Sequence, residues 1–364
     1  MISKLASIAL TSFLCSRVAA AEAEACRDPK QQPFLASSVW NTPIGSEAEF
    51  VTAGIFNASQ SPPRNFFSDD DYFFVTSASD PLTAWYKQGW WGPPSGTGHC
   101  NITGPLVDHL RFPHNVTVTA FGNNNGAGLL QPDGHTLIEM QPVYRCGPGS
   151  PILAQDCRSH CTNDIRYGNG TTGAHGGSGL SAVGGTIRLG ELSHGAAAIQ
   201  HALKLELYAK DYYWHAPNRT ACYSWPAITC DGYALTPGQH LEYGGTNPWV
   251  RPGSLLALTQ ADRQALDAVL TTDPGRVVAD ALASYGGYLV DDTAATRGTI
   301  CTEHGVTDQF KSDWDMDFDQ TSGPWYDDLL AVFRKLQVVR NNGPDAVGGG
   351  GKPVQPPPPP LCPT

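Results

Sequence analysis

His201-Ala-Leu-Lys-Leu-Glu-Leu-Tyr208 alternates with a period of two. Leu203, Leu205 and Leu207 take one face and Ala202, Lys204, Glu206 and Tyr208 the other, the pattern of a half-buried β-strand. Outward from this stretch the pattern recurs. Residues 135–141 place Ile138 and Met140 on one face and His135, Leu137, Glu139 and Gln141 on the other. Residues 115–121 alternate Val116, Val118 and Ala120 with Asn115, Thr117 and Thr119. Helical signals are few. Thr259 followed by Asp262 marks a helix start leading into residues 263–270, Pro274-Gly275 ends it, and residues 276–284 resume a helical pattern. A strand is expected at 288–291, a third amphipathic helix at 326–335, and a last strand at 336–339. Gly, Pro, Asn and Asp turns between many short strands predict an all-β fold: an antiparallel β-sandwich or jelly roll decorated by a few short helices.

The ends and the cysteines place the chain. Lys4, an apolar run over residues 5–14 and the small residues Ala19, Ala20 and Ala21 read as a signal peptide occupying residues 1–25. Asn57-Ala-Ser, Asn101-Ile-Thr, Asn115-Val-Thr, Asn169-Gly-Thr and Asn218-Arg-Thr are glycosylation acceptors. Beyond the leader stand Cys26, Cys100, Cys146, Cys157, Cys161, Cys222, Cys230, Cys301 and Cys362, which predict disulfides in an oxidising compartment. The number is odd, which leaves Cys362 as the expected unpaired residue, free to bridge two otherwise monomeric chains. Cys222 and Cys230 are the expected local pair. Cys157-x-x-His160-Cys161 lacks a second ligand pair, so disulfide is preferred to zinc there. One β-rich domain is expected over residues 26–341. Residues 342–364, with Gly348 to Gly351 and a proline run, are expected to form a disordered tail. Net charge is −11 without a basic cluster, which argues against nucleic acid and anionic membranes as partners. The expected location is secreted, extracellular or cell wall.

A further set of segments stands out together: Ser38-Val-Trp-Asn-Thr-Pro-Ile44, Gly176-Gly-Ser-Gly-Leu-Ser-Ala-Val-Gly-Gly-Thr-Ile-Arg-Leu-Gly-Glu-Leu192, Ile199-Gln-His-Ala-Leu203, Tyr223-Ser-Trp-Pro226, Tyr285-Gly-Gly-Tyr-Leu-Val-Asp-Asp292 and residues 329–338. With these the chain resembles secreted β-sandwich proteins of actinomycetes, fungi and other microbes that sit among polysaccharide-degrading secretomes. The resemblance spans about residues 38–339. It implies a fold and a setting, and no catalytic assignment. The proline-rich tail and the cysteine-rich loops depart from the shorter bacterial pattern.

Glycoside hydrolysis needs two carboxyl groups across a cleft, one protonated and one ionised. Glu139 is the first candidate, mid-strand on the polar face beside His135 and Gln141. Glu191 is the second, in Arg188-Leu-Gly-Glu191 after Gly184-Gly185, where a nearby arginine would keep it ionised. Arg188 and His201 would support them. His201 is expected on the leucine face, opening into a cleft as acid, base or ligand only if the strand start allows. His175, within Gly173-Ala-His-Gly-Gly-Ser-Gly179, is expected in an exposed loop. Trp85, Trp90 and Trp91 offer a stacking platform for sugar rings, and His135, Gln141 and His175 complete the expected substrate contacts. Each has a plainer alternative: a solvated face for Glu139, a structural ion pair for Glu191, core packing for the tryptophans.

No metal site is expected among these residues. Asp313, Asp315, Asp317 and Asp319 alternate with Trp314, Met316 and Phe318, and offer a calcium site if they form a loop. Phosphate loops, nucleophile elbows, HExxH motifs and nucleotide-cofactor motifs are missing. The leading expectation is a carbohydrate-active glycoside hydrolase. The alternatives are a polysaccharide lyase acting on uronic acids, with Arg188 or Gln141 neutralising the uronate, and a non-catalytic glycan-binding wall protein.

Overall fold

The computed structural model describes residues 26–57, 60–87, 99–119, 124–156 and 162–362. The expected signal peptide lies outside them, as do Trp90, Trp91, Cys157, His160 and Cys161. Ahead of the glycine-rich centre come β1 (Phe50–Thr52), β2 (Phe66–Val75), β3 (Leu82–Lys87), β4 (Leu106–Arg111), β5 (Gly126–Leu130), β6 (Thr136–Tyr144), β7 (Ile152–Asp156) and β8 (Thr162–Asp164). After it come β9 (Leu203–Leu207), β10 (Leu255–Ala257), β11 (Gly287–Asp292), β12 (Gly298–Glu303) and β13 (Gln337–Val339). The helices are α1 (Ala209–Tyr212), α2 (Gln260–Leu266), α3 (Asp273–Ser284), α4 (Val306–Trp314) and α5 (Pro324–Lys335).

The strands join in one sheet, in the order β1-β13-β10-β11-β9-β12-β2-β5-β6-β7-β3-β4, with β8 attached to β6. The domain is β-rich with few helices, as expected, but the sheet is mixed and not purely antiparallel. β9 runs parallel to β11, β2 runs parallel to both β12 and β5, and β3 runs parallel to β7. Parallel and antiparallel strands share the two-residue period, so alternation alone cannot tell them apart. The strand expected at 115–121 does not form over its described residues; Val118 makes only a bridge to Arg145.

Helix α2 starts at the expected cap, with Thr259 accepting from the Asp262 N–H. Pro274 lies in the first turn of α3, where no amide hydrogen is needed, so it opens a helix where an end was expected. Leu203, Leu205 and Leu207 pack with Leu282 of α3 and Leu329 and Phe333 of α5 in the largest core. The opposite face of β9, carrying Lys204 and Glu206, is buried as well.

Residues 343–362 are docked on the domain. Cys362 is bonded to Cys26, the Arg27 N–H donates to the Pro360 carbonyl at 2.9 Å, and the Cys362 N–H donates to the Arg27 carbonyl at 3.0 Å. The Gly45 N–H donates to the Gly348 carbonyl at 2.9 Å. This corrects both the disordered tail and the intermolecular role given to Cys362. The composition of the segment forbids a core of its own, but not attachment by main-chain bonds and a disulfide. Cys100–Cys146 and the expected Cys222–Cys230 pair also form, and Cys301 is the free cysteine among the described residues, fully buried. Asn57, Asn101, Asn115, Asn169 and Asn218 are all exposed. No helix among the described residues is long and apolar enough to cross a membrane.

Replacing Cys26 and Cys362 together by serine is expected to cost about 2–4 kcal/mol of stability. It should also open residues 343–362 to limited proteolysis. An unchanged denaturation midpoint with unchanged protease resistance would contradict the docked strap.

Candidate functional site

Register and alternation put Asp69 and Asp71 of β2, Thr299 and Cys301 of β12, Lys204 and Glu206 of β9, and Glu139 and Gln141 of β6 on one face of the sheet. Residues 173–188 lie across that face. The Ala182 N–H donates to Glu139, the Gly176 N–H donates to Gln141, and Lys204 Nζ donates to the Ala182 carbonyl. The approach is close enough to demand glycine. A Cβ on Gly173 would collide with the Glu139 carboxylate, and one on Gly176 would come 2.5 Å from Asp291 Oδ2.

The residues expected as the acid/base pair fall in separate networks. Glu139 is fully buried. Its Oε1 accepts from Asn163 Nδ2 at 3.0 Å and Ser181 Oγ at 2.9 Å, and its Oε2 accepts from the Ala182 N–H at 2.6 Å and the Ala174 N–H at 3.4 Å. Burial raises its pKa, and these four donors oppose the rise. Glu191 instead accepts from the Arg188 N–H at 2.7 Å and meets His201 Nε2 at 3.1 Å. Arg188 faces Glu303 at 3.4 Å and covers the Phe73 ring. No hydrogen bond or ion pair between described residues joins Glu139 to Glu191, and both read as structural groups.

The other expected contacts also change place. His201 precedes β9 and turns to Glu191, so it does not share the leucine face. His135 is an outer residue near Asp133 and Asp164. Trp85 is buried in a core with Phe112 and Met140. His175, expected in an exposed loop, is fully buried.

His175 reaches a cluster of titratable groups. Asp69, His175, Glu206 and Cys301 present donor atoms that all lie within 4.8 Å of one another. Cys301 Sγ stands 3.8 Å from His175 Nε2 and 3.6 Å from Glu206 Oε1, and His175 Nε2 stands 3.9 Å from Glu206 Oε1. Behind the imidazole, Nδ1 lies 3.4 Å from the Gly176 carbonyl and 3.9 Å from Asp291 Oδ2. Burial, then the positive charge of Lys204, holds His175 well below its usual pKa. Burial, then Asp69 and Asp291, pushes Glu206 well above the usual carboxylate range. Asp69, beside it in the cluster, is raised as well, first by burial, so two crowded carboxyl groups face each other there. Burial, then Glu206, raises the Cys301 thiol.

Asp69 and Glu206 also line a pocket of about 760 Å³. Its wall includes Asp292, pushed up to about 6 chiefly by burial, which accepts from the Ala209 and Ala294 N–H groups and from the Tyr233 hydroxyl. Phe67 and Phe318 supply rings, and Arg297 and Lys311 supply cations.

The expected Asp313–Asp319 alternation is not a strand. Asp313 lies in α4, Asp315 caps it, Asp317 pairs with Lys311 at 2.6 Å, and Asp319 accepts from the Ser68 N–H. The four do not converge as a donor set among the described residues, and Asp317 and Asp319 join the pocket rim instead. Comparison with protein-family models, with curated proteins and with solved structures gives no match in any of the three. Sequence reasoning passed over Asp69, Glu206 and Cys301. The available signal was Asp69-Asp70-Asp71 inside the aromatic-rich Phe66-to-Val75 run, since such a strand must bury at least one of its acids.

Glu139→Ala should strip the acceptor from four buried donors and cost at least about 3 kcal/mol. Urea unfolding measures this. A loss under about 1 kcal/mol would show that the carboxylate does not hold residues 173–188 to the sheet.

Proposed function

We propose that the chain is a secreted hydrolase acting on a neutral or amino-sugar polysaccharide, with its reaction centre where Asp69 and Glu206 meet the pocket. The observation that carries this reading is the Asp69–Glu206 pair, one half-buried and one buried carboxyl group set close together on the wall of a roomy polar pocket. Asp69 is the more accessible member and holds the attacking water, with Glu206 behind it. Asp292, on the pocket wall, is the proton donor to the leaving group, since a carboxyl titrating at about 6 is largely protonated in mildly acidic surroundings.

Asp69 and Glu206 touch, so they cannot be the two separated carboxylates of a glycosidase. The separated pair is drawn instead from Asp69 and Asp292, which line the same pocket.

Secretion is supported by the disulfides, by the five exposed acceptor asparagines and by the sequence resemblance. Charge weighs against the lyase alternative. Seven acidic residues line the pocket (Asp69, Asp70, Glu206, Asp292, Asp308, Asp317, Asp319) against Arg297 and Lys311, so a polyuronate would be repelled. The binding-protein alternative loses Trp85 to the core.

The test is a panel of neutral, amino-sugar and uronic-acid polysaccharides with reducing ends and unsaturated products read together. Reducing ends are expected from the first two classes, and Asp69→Asn and Asp292→Asn should each lower turnover by at least about 100-fold. Full turnover in both variants would sink the assignment. Because Asp292 must carry its proton, kcat/KM should fall as pH rises through about 6. A rate that climbs from pH 5 to 8 would remove Asp292 from the acid role.

A further inference from the structure

We propose that Asp69, His175, Glu206 and Cys301 form a zinc site at the inner end of the pocket. This deepens the reading above and rests on the same reaction centre. The triangle of His175 Nε2, Cys301 Sγ and Glu206 Oε1 has sides of 3.8, 3.6 and 3.9 Å. A point equidistant from its corners lies about 2.2 Å from each, within the range of zinc bonds to nitrogen, sulfur and carboxylate oxygen. Asp69 adds the fourth donor from the pocket side, within 4.8 Å of the other three. Sulfur, imidazole and carboxylate together suit zinc and its late first-row neighbours, and not calcium or magnesium.

Three further observations point the same way. The Gly176 carbonyl beside His175 Nδ1 can only accept, so Nδ1 carries the ring proton and Nε2 turns its lone pair toward Cys301 and Glu206. Thr299 is fully buried with no partner for its hydroxyl, and it stands directly across the antiparallel ladder from Glu206 on the same face. Once Glu206 and Cys301 are ionised at a metal, they offer that hydroxyl an acceptor. Lastly, Cys301 keeps a free thiol while the other described cysteines are in disulfides. Its sulfur meets an imidazole and a carboxylate at the edge of an apolar core. On binding, the Cys301 thiol proton and the proton held by the Glu206 carboxyl both leave to solvent, and thiolate and carboxylate take their places at the metal. With Asp69 giving up its position to a water, a zinc held by His175, Glu206 and Cys301 would supply a polarised water beside Asp69.

The experiment uses the mature chain secreted from an oxidising host. Bound metal is counted by mass spectrometry, zinc affinity is measured by competition with a chromophoric chelator, and cobalt(II) is added to metal-stripped protein. About one zinc per chain is expected, with a thiolate-to-cobalt charge-transfer band in the near ultraviolet. Cys301→Ser should abolish that band, and His175→Ala should weaken zinc binding by at least about 100-fold. Folded wild-type protein that takes up no zinc, or cobalt binding without the thiolate band, overturns the site whatever the variants do. Zinc binding at these residues with no cleavage of any glycan keeps the site and removes the hydrolase reading. Undiminished cleavage by zinc-free protein does the reverse.

Discussion

Lys204 and Asp71, 2.6 Å apart and closed to solvent, tie three parts of the chain together. Lys204 belongs to β9, Asp71 to β2, and both reach residues 173–188, Lys204 through the Ala182 carbonyl and Asp71 through the Thr186 hydroxyl. Breaking such a pair by removing one partner typically costs about 3–5 kcal/mol, because the other charge stays buried. The pair reaches across β12, which lies between β9 and β2, and the glycine-rich segment is bonded to both of its members. The sheet can be mixed, with distant segments made neighbours, because this face is held by polar bonds as specific as the leucine packing on the other.

Within that face two kinds of carboxylate can be told apart by what surrounds them. Glu139 has four donors for two oxygens and no role at the pocket. Glu206 is crowded by Asp69 and Asp291, lines the pocket, and meets a thiol and an imidazole. The first arrangement is what a fold needs of a buried acid. The second opposes folding, and that is the ground for placing the proposed reaction centre there.

The sequence allowed the face assignments of residues 135–141 and 203–207 to be read correctly, because a two-residue period survives any pairing. It also indicated the helix cap at Thr259 and the Cys222–Cys230 bridge. It misled where alternation was taken to mean solvent. Lys204, Glu206, Glu139 and Gln141 all lie on the polar face of their strands, yet each is buried beneath residues 173–188. A run of glycines reads as a mobile loop, but here it is what allows backbone to pack against carboxylates, and it carries His175 inward. The pocket's groups come from positions as distant as Asp69 and Asp319, and local pattern cannot announce such a meeting.

The proposed role of the Asp69–Glu206–His175–Cys301 cluster is reactivity kept at the expense of stability. The most direct measurement is the unfolding free energy of Glu206→Gln against the wild type in zinc-free buffer. The substitution keeps a donor toward Asp69 and removes a crowded acid, so stability should be unchanged or rise by about 1 kcal/mol. A loss of more than about 2 kcal/mol would mean that Glu206 is a structural carboxylate like Glu139, and the cluster would no longer mark the site.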